Sequence, residues 1–185
     1  MKKLPNLPRA YLAGPDVFFA EPLRHAEQKK QLCLKYGIIG VTPFDAQDGQ
    51  DAAANGFQAI FEKNLSIMES CDIIIANITP FRGVSADSGT LMELGWFWGR
   101  KKPAFAYSNA ATPFYDRCLN YLKNFQAPDE SAAIAIENFN LPENLMVIGG
   151  IQICGGFVAT AQKELPHNDL SVFEAALHLI YKHHK

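Results

Sequence analysis

Two carboxylates in the stretch "SADSGTLMELGW" (85–96), Asp87 and Glu93, stand six positions apart around a Gly-Thr pair. A carboxylate beside apolar residues such as Leu91, Met92 and Leu94 is costly unless it is paired, exposed or at work. Two acids at fixed spacing can divide a displacement between them, one attacking a carbon and the other moving a proton. Each also has a plain structural role. Asp87 suits a helix N-cap, its side chain accepting the orphan N–H groups of the following turn. Glu93 lies one to two turns in, where the favourable field of the helix N-terminus has faded. Taken alone, it reads equally as a functional group or as an exposed helix residue.

The elements that must position these acids follow from hydrophobic pattern and turn residues. "RAYLAG" (9–14) is a strand closed by Gly14-Pro15, and "EPLRHAEQKKQLCLKYG" (21–37) is a helix with Pro22 in its first turn and Gly37 as its C-terminal cap. Leu23, Ala26, Leu32 and Tyr36 are its expected apolar residues. "IIGVTPF" (38–44) is a second strand. "FQAIFEKNLSIMESC" (57–71) is a helix, with Ile60, Phe61, Leu65 and Met68 at three- and four-residue spacing. "DIIIANI" (72–78) is the β-branched run of a central parallel strand buried on both faces. A helix over 87–100 and a strand over 103–108 complete four alternations. This order predicts an α/β fold: one domain over 1–185, with a doubly wound, flavodoxin- or Rossmann-like parallel sheet flanked by helices. Beyond residue 109, "PFYDRCLNYLKNF" and "DLSVFEAALHLIYKHH" read as helices, while "NLMVIGGIQICGG" reads as strand or loop.

In open parallel sheets ligands bind beyond the carboxyl ends of the strands. Gly14, Pro15 and Asp16 follow the first strand, Asp45 to Gln47 the second, and Asn77, Thr79 and the loop to Asp87 the third. Tyr11 lies just inside the first strand end. These residues are distant in sequence and converge on one rim. A helical rise of ~1.5 Å per residue puts the two acids roughly 9 Å apart along the axis. Retaining glycosidases hold their carboxyls about 5–5.5 Å apart and inverting ones about 6.5–9.5 Å, so the spacing taken plainly favours inversion. A wide leaving group protonated on its far side, such as a nucleobase, changes that reading, and spacing alone leaves the stereochemistry open.

Bulk properties narrow the partners. The 185 residues carry a formal net charge of −2, with 48% hydrophobic and 19% charged residues, so no basic field recruits nucleic acid or anionic lipid. The four cysteines are scattered without a C-x-x-C, implying neither a zinc site nor a disulfide framework. Pro5 and Pro8 interrupt the basic N-terminus before any long apolar stretch, and no run approaches the ~20 residues of a membrane span. A cytoplasmic protein is the expectation.

With these residues assembled, the chain resembles the nucleoside 2-deoxyribosyltransferase family. The likeness is carried by "AYLAGPDVF" (10–18), "TPFDAQ" (42–47), "EKNLSIMESCDIIIANITPFRG" (62–83), "DSGTLMELG" (87–95) and "NLM" (144–146). Its most specific element is D-x-G-T-x-x-E-x-G after an apolar strand. The resemblance implies that Glu93 is the nucleophile, forming a covalent deoxyribosyl-enzyme, and that two inversions give net retention. It implies that Tyr11 orients Glu93 and that Asp87 helps protonate the base. Gly14, Asp16, Phe18, Gln47, Asn64 and Gly89 fall in the matching substrate-binding segments, and Asn144 and Met146 match a segment that reaches a neighbouring subunit's site. Where some members carry a second base-contacting Asp this chain has Asn64, which can hydrogen-bond but cannot act as an acid. The implied substrates are 2′-deoxynucleosides and free purine or pyrimidine bases, with no cofactor, no metal, no nucleic acid and no membrane. The implied assembly is a homo-oligomer, dimer-based and up to a hexamer, with sites shared between subunits. Residues 151–185 are expected to form a helical C-terminal extension beyond the matching motifs.

Two other readings compete. One is a nucleoside or nucleoside 5′-monophosphate N-glycoside hydrolase of the same fold. The first loop, "GPDVFFAEP", argues against the phosphorylated substrate: Asp16 and Glu21 would repel a phosphate dianion, and Arg24, the one nearby base, is expected to face solvent. The other is a non-catalytic nucleotide-binding module, which has no need of a carboxylate at position 93. A nicotinamide site is disfavoured because "LAGPDV" lacks G-x-G-x-x-G.

Overall fold

The computed structural model describes residues 7–45, 56–124 and 135–183. β1 (Arg9–Ala13) and β3 (Ile73–Asn77) are the short apolar runs that the sequence marks as strands, and apart from Arg9 both are buried throughout. They pair in parallel, with Tyr11 opposite Ile74 and Ala13 opposite Ala76. β2 (Ile39–Val41), β4 (Ala104–Ser108) and β5 (Val158–Thr160) complete a parallel sheet of order β2-β1-β3-β4-β5. Parallel neighbours require crossovers, and these are α1 (Pro22–Lys35), α2 (Gly56–Glu69), α3 (Ser88–Gly99), α4 (Phe114–Asn124) and α5 (Leu145–Ile153), with α6 (Ser171–His183) closing the chain. The expected α/β doubly wound, flavodoxin-like architecture is what forms.

Because successive strand residues point to opposite faces, each strand serves two cores. Tyr11, Ala13, Ile74 and Ala76 pack against α2, α3 and α5 through Met68, Leu94, Phe97 and Ile151. Ala10, Leu12, Ile73 and Ile75 face α1 and α6 through Cys33, Phe173, Ala176 and Leu177. Tyr11 is thereby aimed at α3, the helix that carries Glu93.

Several expectations are corrected in detail. The second strand stops at Val41, because the Thr42 N–H and hydroxyl turn back to Asp45 Oδ2 at 2.7 and 2.9 Å. The buried face of α1 is His25, Ala26, Lys29 and Cys33, while Leu23 is exposed, because that face meets an acid and not only hydrocarbon. On α2 only Ile67 and Met68 are buried, and Ile60 and Phe61 lie outside. The segment read as strand or loop is helix α5: Asn144 Oδ1 accepts from Met146 N at 3.0 Å, a side-chain N-cap. β5 then follows a glycine turn in which a Cβ on Gly156 would lie 1.6 Å from the Ala104 carbonyl oxygen. β5 and α6 are part of the layered structure, with Phe173, Ala176 and Leu177 buried in one of its two cores. The described cysteines are all free thiols, and no described helix is long and apolar enough to cross a membrane.

Candidate active site

β1 and β3 are the adjacent strands from which the chain turns to opposite sides of the sheet, the position at which such folds open a crevice at the carboxyl ends. Tyr11, fully buried on β1, stacks on Phe97 with ring centroids 6.2 Å apart and sends its hydroxyl toward α3. There it donates to Glu93 Oε1 at 2.6 Å. Burial pushes the Glu93 carboxyl up to about 7; the Tyr11 hydrogen bond pulls the other way, and the charge of Asp87 adds to the rise. The Tyr11 phenol is held well above its ordinary range by burial and then by Glu93, so it stays a donor. A dehydrated carboxylate with a neutral partner is a strong base and nucleophile poised to ionise near neutrality.

Asp87 is the N-cap of α3, as its sequence position implies. Its Oδ2 accepts from Thr90 N at 3.1 Å and lies 3.4 Å from the Thr90 hydroxyl, and Oδ1 has no partner among the described residues. Gly89 accommodates this carboxylate: a Cβ there would sit 3.0 Å from Asp87 Oδ2. The cap is placed from behind by residues that sequence reading missed. Glu143, fully buried, accepts from Ser85 Oγ at 2.7 Å, Ala86 N at 3.0 Å and Asn144 N at 3.0 Å. Arg117 of α4 pairs with Glu143 at 3.3 Å and donates to the Val84 carbonyl at 2.8 Å. The segment leading into Asp87 is clamped between these two charges. The signal available in sequence was an arginine beside Asp116 and an acid beside Pro142, with nothing to pair them.

The loop after β1 is fixed in another way. A Cβ on Gly14 would approach Asn77 Cβ to 2.8 Å, so glycine lets the loop lie against the end of β3. Asp16 is turned inward, with Oδ1 accepting from Asn77 Nδ2 at 2.8 Å and Oδ2 from Lys29 Nζ at 2.5 Å. Lys29 is itself buried, its ammonium 4.8 Å from the Phe173 ring centroid and 5.4 Å from that of Tyr107. His25, also buried, stands 3.8 Å from the same Asp16 oxygen, and burial lowers its pKa. Glu21 pairs with Arg24 at 3.0 Å, both exposed. Arg24 therefore faces solvent as expected, but the objection that two uncompensated acids guard this loop is removed. Arg24 is not the one base nearby either: the Arg82 guanidinium lies 4.5 Å from the ring centroid of Phe18.

The remaining candidates divide. Phe18 is half-exposed and stacks on Phe81 with centroids 5.6 Å apart. Asn64 is half-buried on α2 with no partner among the described residues. Asn144 is committed within the chain, its Nδ2 donating to Glu137 at 2.9 Å, while Met146 is largely exposed beside it. Met146 also borders an apolar cleft of about 160 Å³ between α3 and α5. Gln47 lies outside the described residues. Among the described residues no three His, Cys, Asp or Glu side chains group to hold a metal ion.

Residues 10–146 match the family model for nucleoside 2-deoxyribosyltransferase. The chain belongs to the nucleoside 2-deoxyribosyltransferase family. Among solved structures, this family member is similar to a 2-desoxiribosyltransferase from Leishmania mexicana, at 26% identity and TM-score 0.66, covering 96% of this chain and 99% of that one. An uncharacterized protein of Schizosaccharomyces pombe is 28% identical over 172 residues, 83% of this chain and 82% of its own. A CMP N-glycosidase from Clostridium botulinum shares the fold, with 14% identity, TM-score 0.51 and coverage of 93% of this chain and 98% of that one. The motif positions of this deoxyribosyltransferase family member thus lie on the elements just described, with Tyr11, Asp87 and Glu93 inside the matched span.

Proposed function

We propose that the protein transfers the 2-deoxyribosyl group of a 2′-deoxynucleoside to a second nucleobase through an ester on Glu93. The observation that carries this reading is the 2.6 Å hydrogen bond from Tyr11 to Glu93 Oε1, which orients the carboxylate and leaves its second oxygen to react. In the first half-reaction that oxygen attacks the anomeric carbon and the bond from carbon to base nitrogen breaks. The departing base keeps the electron pair and takes a proton held at Asp87, whose Oδ1 is uncommitted among the described residues. In the second half-reaction a nitrogen of the incoming base attacks the same carbon, returns its proton to Asp87 and releases the Glu93 carboxylate. Two inversions give retention.

Phe18 and Asn64 are assigned to the base and sugar, and Gln47 to the base. Gly14 and Gly89 give the backbone its close approach, and Asp16 holds the first loop. Asn144 and Met146 are assigned to a homo-oligomer contact in which neighbouring subunits share sites. Exposed Met92, Trp98, Met146 and Ile153 on α3 and α5 supply apolar surface for it.

The test is chromatography after deoxyinosine is incubated with adenine, and thymidine with adenine, without added metal or cofactor. Deoxyadenosine from the first pair supports the reaction class, and from the second extends it to pyrimidine donors. Replacing Asp87 by Asn, which keeps the cap but not the acid, should slow exchange by about 10²- to 10⁴-fold. Water reaching the same ester would give free deoxyribose, read from the same chromatogram. If neither exchange nor a deoxyribosyl adduct on the Glu93 peptide appears, the reading fails.

A further inference from the structure

Residues 78–87, between β3 and α3, form neither helix nor strand, yet the three that run into Asp87 are each tied down. The Val84 carbonyl accepts from Arg117 Nε at 2.8 Å, and Ser85 Oγ and Ala86 N donate to Glu143 at 2.7 and 3.0 Å. Glu143 also accepts from Asn144 N at 3.0 Å and pairs with Arg117 at 3.3 Å, so both of its oxygens are in use. Arg117 donates further to the carbonyls of Thr112 at 2.6 Å and Pro142 at 2.9 Å. Arg117 belongs to α4, and Asn144 is the N-cap of α5. The segment is thereby pinned to two helices through one ion pair.

Asp87 itself is held lightly. Its side chain bonds only Thr90 among the described residues, and through one oxygen. Where its carboxyl points is therefore set by the backbone that delivers it. The side chains of Arg117 and Glu143 are 10% and 0% exposed, and a buried ion pair contributes little net stability over apolar residues of the same volume. Its position directly behind an acid assigned a proton transfer is accounted for by what it holds. A misplaced general acid costs most where bond breaking depends on it most, so different leaving bases should feel the misplacement unequally.

We infer that Arg117 and Glu143 are positioning residues for Asp87, and that together they set how poor a leaving base this site can expel. They act through the backbone of 84–86, without a contact to substrate of their own. The inference rests on the proposed division of labour between Glu93 and Asp87.

The test compares two donors, deoxyadenosine and 6-chloropurine 2′-deoxynucleoside, with hypoxanthine as acceptor, in wild-type protein and in Glu143→Gln. The chlorine withdraws electrons, so the departing nitrogen needs a proton less. In Glu143→Gln, kcat/KM for deoxyadenosine should fall about 100-fold, and for the chloropurine donor by less than about tenfold. In an Asp87→Asn background the same substitution should add less than about threefold, because the group it positions is already gone. Ser85→Ala removes one of the ties while leaving the ion pair intact. It should show the same inequality at about 3- to 10-fold for deoxyadenosine, and it carries the test if Glu143→Gln does not fold in a urea titration. An equal fall for both donors overturns the inference, as does a full loss on top of Asp87→Asn. A wild-type protein inactive on every donor sinks the transferase reading and takes this inference with it; an active one with an equal fall sinks this inference alone.

Discussion

Glu93 and Asp16 are both dehydrated carboxylates at one rim of the sheet, and their partners make them opposites. Glu93 is held by a neutral phenol, whose hydrogen bond offsets only part of the cost of its charge, and its carboxyl is pushed up to about 7. Asp16 is held by a buried ammonium and an amide, so both of its oxygens are occupied from within the protein. The first arrangement stores reactivity and the second fixes a loop. A buried acid is therefore read for function by the charge of its partner rather than by its burial.

The contrast can be broken from either side. The largest effect should follow Glu93→Ala, which removes the attacking oxygen: base exchange is expected to fall by at least about 10⁴-fold. Unfolding of that variant should cost no more than about 1–3 kcal/mol, since the buried Tyr11 hydroxyl loses its acceptor but no cation is left unpaired. Lys29→Met tests the other acid. It leaves Asp16 buried without its counter-ion and should cost about 3–5 kcal/mol in a urea titration. Adding Asp16→Asn to Lys29→Met should return most of that loss; a double variant as unstable as the single would mean that Lys29 acts through packing alone.

Smaller effects sharpen the difference. Tyr11→Phe keeps the stacked ring but deletes the donor, and exchange should fall about 10- to 100-fold. Because that hydrogen bond lowers the Glu93 pKa, its loss should also move the acid limb of the rate profile to higher pH. In the wild type the nucleophile must be ionised, so kcat/KM should be half-maximal near the carboxyl's value of about 7 and fall about tenfold per unit below it. A profile flat from pH 5 to 8 would remove Glu93 from the attacking role.

The half of this picture that was legible in sequence is the half built from local signals. The β-branched run of β3 and the Gly-Pro after β1 mark the sheet. The D-x-G-T-x-x-E spacing puts a cap and a second acid on one helix before any coordinates are known. The illegible half consists of pairs joined across the fold. Lys29 reads as one more solvated lysine of α1 until Asp16 is seen beneath it, and Arg117 and Glu143 lie 26 positions apart. Arg82 reads as part of a loop, because neither its stacking on Phe18 nor its positive φ leaves a trace in composition. α5 escaped for another reason. Its residues are apolar all round, and Gly149 and Gly150 interrupt the spacing of Ile148 and Ile151, so no helical period survives. The cap that starts it depends on Asn144, whose amide is also tied to Glu137.

The matched motifs stop at residue 146, yet Asn109 at the end of β4 reaches past them, its amide donating to the carbonyls of Pro166 at 2.8 Å and Asp169 at 2.9 Å. That grip brings α6 down over Leu12, Ile75, Phe105 and Tyr107. A gene trimmed to the recognisable motifs would therefore yield a protein in which α1 alone is left to cover that side of the sheet, with the apolar surface under α6 laid bare. Any minimal version made for biocatalysis has to keep the final helix, although none of the residues assigned to the chemistry lies within it.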